Sequence, residues 1–335
     1  MIINGNALRI PLADASVQTC VTSPPYFGLR DYGVDGQIGL EQTPDAYVAQ
    51  LVAVFREVWR VLRDDGTLWL NLGDSYASAW SCNRRSTIGN EAPAYDERVN
   101  RLSGGLKEKD LIGIPWRVAF ALQADGWYLR SDIIWHKPNP MPESVTDRPT
   151  KAHEYVFLLS KSAKYYYDAD AASESAITDD MRRPYGSPGA NMLDPRGKQG
   201  EGKLRSKRDT FKREDSKRAA VIPGQTVGTH RPDRAESNWN TTRRNRRSVW
   251  SVATKPYAGA HFATYPPELI TPCILAGAPQ GGVVLDPFSG SGTTVATARQ
   301  LGRVGVGVEL NPAYIELAQE RNAQATIWEG LAASL

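Results

Sequence analysis

Two short segments near opposite ends of the chain constrain the fold most, because each follows a predicted strand and has an unusual composition. The β-branched strand Val17–Thr22 runs into Ser23-Pro24-Pro25-Tyr26. An apolar strand over 282–285 runs into a glycine-rich turn, with the sequence Asp286-Pro287-Phe288-Ser289-Gly290-Ser291-Gly292-Thr293-Thr294, that leads into a helical pattern. A glycine-rich turn between a strand and a helix binds nucleotide-like cofactors through backbone N–H groups. A Ser-Pro-Pro-Tyr turn can bind a flat ring that carries an amino group. We predict that the two segments form one site.

Helical and strand patterns alternate along most of the chain, which predicts an α/β fold with a mainly parallel twisted sheet and helices on both faces. Apolar periodicity predicts helices over 45–63, 115–124, 266–276, 293–301 and 312–323. Strands are predicted over 17–22, 67–72, 127–135, 154–160, 282–285 and 304–309. The polar stretch 78–109 is too long for a simple connection and is predicted to be either a mobile loop that acts as a lid or a disordered segment.

The pattern breaks over residues 171–247, which are rich in glycine, proline, serine and basic residues. Within 181–247 there are 18 Lys and Arg against 7 Asp and Glu, a net charge of +11, so the rest of the chain carries −8. A confined basic segment in a chain whose remainder is mildly acidic is typical of an element that binds a polyanion. We predict three parts: residues 1–170, an inserted basic region over 171–247, and residues 248–335.

Several classes of protein are disfavoured by the composition. No apolar run approaches the roughly 20 residues that span a bilayer, and the start of the chain lacks the pattern of a signal peptide. Three widely separated cysteines indicate a reducing compartment, the cytoplasm, rather than a disulfide framework. We predict that Cys20 and Cys273 are core residues. The four histidines show no metal-site spacing, so no bound metal is expected.

The strand after the glycine-rich turn ends at Glu309, 17 residues beyond Gly292. A carboxylate at this point can accept hydrogen bonds from the hydroxyls of a ribose. No lysine follows the last glycine, which excludes a phosphate-binding P-loop, and Val295 stands where dinucleotide sites have a third glycine. The Asp-Pro-Phe-x-Gly-x-Gly turn resembles instead the S-adenosylmethionine site of methyltransferases.

With both motifs taken together, the chain resembles the beta class of DNA amino-methyltransferases, which modify the N6 of adenine or the N4 of cytosine. Residues 22–26 resemble the catalytic motif and 286–294 the cofactor motif, in the order of that class, with the basic region between them. The resemblance covers residues 1–170 and 248–335. It implies a Rossmann-like fold, S-adenosylmethionine as the cofactor, double-stranded DNA as the partner, and a base that leaves the duplex to react.

The resemblance also implies roles for individual residues. In the catalytic turn, the Ser23 side chain and the Pro24 carbonyl accept the two amino hydrogens, Pro25 helps to fix the turn, and Tyr26 stacks on the base. The segment before the cofactor motif lines the methionine end of the cofactor. The cofactor-binding set is His261, Phe262, Thr264, Asp286, Pro287, Phe288, Ser289, Gly290, Ser291, Gly292, Thr293, Glu309 and Asn311.

The densest candidate for DNA contact in the basic region is Arg243-Arg244-Asn245-Arg246-Arg247, and 203–218 forms a second basic cluster. Arginine and asparagine can read base edges, while any basic side chain can bind phosphate. The pattern does not assign any one of these residues to a base.

Four questions remain open from the sequence. Ser23 favours the N4 of cytosine, because family members with Ser at this position are commonly N4-cytosine enzymes and those with Asp are commonly N6-adenine enzymes. Methylation of the N6 of adenine stays the alternative. Two other functions are a methyltransferase that acts on another amide or amine, in RNA or protein, and a DNA-binding protein that has lost catalysis. The resemblance makes a homodimer plausible. A separately encoded restriction endonuclease would be the partner of a restriction-modification pair, and a solitary enzyme is the other possibility.

Overall fold

The computed structural model describes residues 1–77, 105–175, 243–255 and 265–332. The strands are β1 (Ile2–Asn4), β2 (Val17–Thr22), β3 (Leu62–Leu72), β4 (Tyr128–His136), β5 (His153–Ser160), β6 (Glu174–Ser175), β7 (Arg243–Arg244), β8 (Val249–Ser251), β9 (Val283–Asp286) and β10 (Val304–Glu309). The helices are α1 (Pro44–Val61), α2 (Ile114–Ala124), α3 (Pro267–Gly277), α4 (Thr293–Gln300) and α5 (Pro312–Ala332).

Eight of these strands form one sheet in the order β1-β10-β9-β2-β3-β5-β4-β8. Only β5 runs opposite to the other strands in it, since it pairs antiparallel with β3 and β4 while the remaining pairs are parallel. The strands β2 and β9 are neighbours, with Cys20 opposite Leu285. The chain leaves β2 toward β3 on one side and leaves β9 toward β10 on the other, and ligands bind at such a reversal of strand order.

Alternating strand residues divide the core between the two faces of the sheet. Leu68, Leu70 and Leu72 pack with side chains of α1 and α2, whereas Trp69 packs with side chains of α3. Cys20 and Cys273 are buried in these two clusters, as predicted. Helices therefore cover both faces, which confirms the predicted Rossmann-like architecture.

The predicted end of the first long helix is wrong by two residues. Thr43 caps α1 by accepting the N–H of Ala46 at 3.0 Å, and the helix ends at Val61. Strand β3 begins directly at Leu62, which pairs with Val17, and the strand includes residues 64–66, which lie between the predicted helix over 45–63 and the predicted strand over 67–72. The pairing of β3 with β2 shifts in register between Val17 and Thr19, beside these residues. The strands β1 and β8 were not predicted, because three residues are too few to show a period.

The chain divides into two compact units, one of residues 1–172 with 245–335 and one of residues 173–244. The eight-stranded sheet belongs to the first unit. In the second, the described residues form the antiparallel pair β6 and β7. The functions predicted for the three parts of the chain remain predictions. None of the helices that could be searched is long and apolar enough to cross a membrane.

Candidate active site

The glycine-rich turn leaves β9 and enters α4, as the sequence predicted. Gly290 and Gly292 have φ of 50° and 75°, which side-chain-bearing residues rarely adopt. A Cβ atom on Gly292 would stand 3.0 Å from the Cβ of Ala318 on α5. Glycine is therefore required where the turn bends and where α5 approaches it. The side chains of Ser291 and Thr293 accept hydrogen bonds from Arg321 of α5, at 3.3 Å and 2.8 Å.

Asp286 connects the two motifs. Its buried carboxylate accepts hydrogen bonds from the Thr22 hydroxyl at 2.6 Å, the Thr294 hydroxyl at 2.6 Å and the Tyr265 hydroxyl at 3.1 Å. The N–H of Phe288 donates a fourth, at 3.1 Å. Burial raises the pKa of Asp286 above its ordinary value, and the hydrogen bonds oppose that rise. Residues 264 positions apart are thus held together at the carboxyl ends of β2 and β9.

Glu309 lies at the end of β10, where the sequence predicted a carboxylate that binds ribose. Its two oxygens accept the N–H groups of Gly290 and Asn311, each at 2.8 Å. Burial raises the pKa of Glu309. Each carboxylate oxygen can accept a second hydrogen bond, so this side chain is oriented by the protein and can still receive ribose hydroxyls.

The catalytic turn is fixed by its own side chains and by its neighbours. Tyr47 on α1 donates to the carbonyl of Pro25 at 2.9 Å. The Tyr26 hydroxyl lies 3.4 Å from the Ser23 hydroxyl and donates to Glu154 at 2.7 Å. Burial raises the pKa of Tyr26 well above its ordinary value, so its hydroxyl stays protonated. Within the described residues, no protein donor bonds to the Pro24 carbonyl, which leaves that acceptor for a ligand.

One cavity of about 690 Å³ joins the two turns, and this volume lies within the range of small-molecule sites, about 300–1,000 Å³. It is bordered by Ser23, Pro24, Pro25, Tyr26, Asp286, Pro287, Phe288, Ser289, Gly290, Ser291, Thr293, Glu309 and Asn311. Gly292, which was also predicted to bind the cofactor, is not among the residues that line the cavity. The Ser289 hydroxyl is buried without a partner in the described chain. The Glu309 carboxylate, which borders the cavity and can accept further hydrogen bonds, fits a cofactor that carries hydroxyl groups.

Several polar side chains of the same cavity were not predicted, namely Asn71, Lys137 and Glu154. Asn71 lies near the end of β3, and Lys137 directly follows β4. Glu154 lies at the beginning of β5, which runs in the opposite direction, so its first residues reach the same edge of the sheet. A search of every strand end would have found Asn71 and Lys137. Glu154 required knowledge of the strand direction.

Two arginines of the predicted DNA-contact segment bond to other residues of the smaller unit. Arg244 forms an ion pair with Glu174 at 2.8 Å, and Arg243 donates to the carbonyl of Ser173 at 3.1 Å. In the larger unit, Arg246 lies 5.4 Å from the centre of the Trp250 ring. The side chains of Arg243, Asn245 and Arg247 are exposed, whereas those of Arg244 and Arg246 are half-buried. The segment therefore presents some basic side chains to solvent and uses others in local contacts.

Some predictions lie outside the described residues. They are the cofactor contacts of His261, Phe262 and Thr264, most of the predicted loop over 78–109, and most of the basic region over 171–247. In the ranges that the structure describes, no group of three or more His, Cys, Asp or Glu side chains could hold a metal ion.

Comparisons with known proteins agree with this site. The profile of a DNA methylase family matches residues 17–320. The chain is 47% identical over 322 residues to the Type II methyltransferase M.XycI of Xanthomonas campestris pv. cyanopsidis, covering 96% of this chain and 86% of the relative. It is 45% identical to the Type II methyltransferase M.Cfr9I of Citrobacter freundii, with the same coverage.

Two solved structures share the fold. The cytosine-N4-specific PvuII DNA methyltransferase superposes with a TM-score of 0.57 at 15% identity, covering 97% of this chain and 89% of the other. A putative DNA modification methylase from Thermus thermophilus, complexed with S-adenosyl-L-methionine, gives a TM-score of 0.54 at 22% identity, covering 97% and 93%. At these identities the likeness concerns the fold alone.

Proposed function

This chain belongs to the DNA methylase family of S-adenosylmethionine-dependent amino-methyltransferases, and we propose that it methylates the N4 of cytosine in duplex DNA. The observation that carries the proposal is the hydrogen bond between Thr22 and Asp286, which places Ser23-Pro24 and the cofactor turn beside one cavity. The choice of cytosine depends on serine at position 23.

The catalytic turn prepares an amino nitrogen for attack. The lone pair of an exocyclic amino group is delocalised into the ring, so the nitrogen is a weak nucleophile. If the Ser23 oxygen and the Pro24 carbonyl accept its two hydrogens, the nitrogen becomes more tetrahedral and its lone pair points out of the ring plane. Because Pro24-Pro25 and the bond from Tyr47 fix these acceptors beforehand, little reorganisation is needed when the bond forms.

The cofactor side of the cavity aligns the second reactant. S-adenosylmethionine, when bound, supplies the electrophilic methyl group. Glu309 would accept its ribose hydroxyls, and Ser289 and the backbone of Gly290 would border it. These residues would hold the methyl group opposite the amino nitrogen, where the N–C bond would form as the S–C bond of the sulfonium breaks. S-adenosylhomocysteine would be the leaving group, and the nitrogen would release one of its two protons to solvent. Much of the acceleration would come from alignment of the two reactants in one cavity.

The target base must leave the duplex to enter the cavity, so base flipping belongs to this proposal. The partner that we propose is double-stranded DNA, contacted in part by the basic region. The Type II designation of the relatives supports a separately encoded restriction endonuclease as a second partner. A homodimer is proposed on family resemblance alone, and light scattering of the purified protein would test it.

The test is product analysis. Duplex DNA of diverse sequence is incubated with the protein and S-adenosylmethionine labelled in its methyl group, and the digested nucleosides are identified by mass spectrometry. We expect labelled N4-methylcytosine. Labelled N6-methyladenine would overturn the assignment based on Ser23. Protein that binds the cofactor but labels neither base would contradict the proposed substrate.

A further inference from the structure

A series of hydrogen bonds runs from the catalytic serine to a half-buried ion pair. The Ser23 hydroxyl donates to the Tyr26 oxygen at 3.4 Å, and the Tyr26 hydroxyl donates to Oε2 of Glu154 at 2.7 Å. Asn71 donates to the same carboxylate oxygen at 3.2 Å. All four side chains border the cavity.

Lys137 balances the charge of this carboxylate. Its ammonium group forms an ion pair with Oε1 of Glu154 and lies 4.4 Å from the centre of the Trp135 ring. The side chains of Lys137 and Glu154 are only 19% and 14% exposed. A carboxylate in an ion pair has no hydrogen to donate and can only accept hydrogen bonds.

Packing also fixes the Tyr26 ring, which lies between Ser23 and Glu154 in the series of hydrogen bonds. A Cβ atom on Gly73 would stand 2.5 Å from Cε2 of Tyr26, so the ring lies directly against the backbone at this glycine. The position of the Tyr26 hydroxyl is therefore set by the close approach at Gly73 as well as by Glu154.

The direction of these bonds matters for an amino substrate. A serine hydroxyl has one hydrogen and two lone pairs. The Tyr26 hydrogen is directed to Glu154 at 2.7 Å, with Oδ1 of Asn71 as a second acceptor at 3.2 Å. Tyr26 can then only accept the hydrogen of Ser23, and the lone pairs of Ser23 are free. If Tyr26 donated to Ser23 instead, the serine hydrogen would be free to face the amino group and oppose its binding.

We propose that Glu154 is a positioning residue that acts through Tyr26 to keep the Ser23 oxygen an acceptor for the amino group of the target base. This inference rests on the proposed function. It applies to an amino group of cytosine or of adenine, so it does not depend on which base is methylated. Nothing in it requires Glu154 to touch the substrate.

The test is a double-mutant cycle with Tyr26→Phe and Glu154→Gln, read as the single-turnover rate of methyl transfer at saturating DNA and cofactor. Each substitution should lower the rate roughly 10- to 100-fold, as expected for a hydrogen bond to a charged group. The double variant should be no slower than Tyr26→Phe, because both changes interrupt the same series of hydrogen bonds. Glu320→Gln, on an exposed face of α5, is the matched control and should keep the wild-type rate.

The dissociation constant of S-adenosylmethionine and the melting temperature separate positioning from structural damage. Both should stay near the wild-type values in Tyr26→Phe, which leaves the Lys137–Glu154 ion pair intact. A Tyr26→Phe variant with the wild-type rate would overturn the inference even if Glu154→Gln fails to fold. Additive rate losses in the double variant would also overturn it. A wild-type protein that transfers no methyl group would overturn the proposed function as well. If the wild type is active but the variants do not show the expected rates, only the role of Glu154 is overturned.

Discussion

At the scale of single residues, the site depends on side chains that join distant parts of the chain. Asp286 was predicted as part of the cofactor motif, and its carboxylate accepts hydrogen bonds from three hydroxyl groups and one N–H group of the protein. The motif could be found from the sequence because its residues are contiguous. The hydrogen bonds that Thr22 and Tyr265 donate could not be predicted, because the local sequence does not indicate which side chain will lie against a carboxylate after folding.

Replacing Thr22 by valine removes one donor from buried Asp286 at nearly constant volume. We expect the free energy of unfolding to fall by about 1–3 kcal/mol, the cost of a buried acceptor that loses a partner. Thr271→Val is the matched control, since the Thr271 hydroxyl bonds only to the carbonyl of Pro267 within its own helix. Denaturant unfolding measures both. Equal losses in the two variants would contradict the linking role of Thr22.

The raised pKa of Glu309 predicts a pH dependence of cofactor binding. The carboxylate is ionised above this pKa and takes up a proton as the pH falls through it, which removes acceptors from the ribose hydroxyls. Affinity for S-adenosylmethionine should therefore decrease on acidification and start to decrease above the ordinary Glu value of 4.5. Calorimetric titration at several pH values measures this dependence.

Two variants of the carboxylate help to assign that pH dependence. Glu309→Gln should bind the cofactor more weakly at neutral pH and show a flatter profile. Exposed Glu316→Gln should behave as the wild type. An unchanged profile in Glu309→Gln would show that another group is responsible.

At the scale of elements, the sequence predicted the long helices and strands well but not the contacts made where strands end. The apolar periods of α1 and β10 are long enough to recognise, whereas β1 and β8 have three residues each. Glu154 and Lys137 were missed because their meeting depends on β5 running against β4. Strand direction is a property of the assembled sheet, and a single strand does not encode it.

Strand β10 carries glycines where the helix before it packs closely. A Cβ atom on Gly305 would stand 2.6 Å from the Val295 carbonyl oxygen and 2.8 Å from its Cα, and this backbone cannot move without shifting α4. We expect Gly305→Ala to destabilise the protein by about 1–3 kcal/mol. Val304→Ala changes an exposed side chain on the same strand and should have little effect. Thermal unfolding of both variants measures the difference, and equal stability would contradict the tight packing.

At the scale of the whole molecule, charge is distributed unevenly along the chain. Residues 181–247 carry a net charge of +11 and the rest of the chain carries −8. The order of Ser-Pro-Pro-Tyr turn, basic region and glycine-rich turn can be read directly from the sequence. The strands that carry the two motifs are neighbours although most of the chain separates them, so an insertion between them leaves the site intact.

We expect the basic cluster over 203–218 to contribute to the salt dependence of DNA binding. Replacing Lys207 and Arg208 by glutamine should reduce the slope of log affinity against log salt by about 0.9 for each phosphate contact removed. Affinity for S-adenosylmethionine should not change. Arg9 and Lys164, which are exposed elsewhere in the chain, provide a control with the same loss of charge. Equal slopes for the two double variants would contradict a DNA contact in this cluster.

The proposed division of the cavity, into a turn that activates the amino group and a turn that holds S-adenosylmethionine, is tested best by Ser23→Ala. The quantity to measure is the single-turnover rate of methyl transfer with the cofactor bound. We predict that this variant binds the cofactor with the wild-type dissociation constant and that its transfer rate falls by at least roughly tenfold. Transfer at the wild-type rate would contradict the division, because Ser23 would then not be the acceptor that prepares the base.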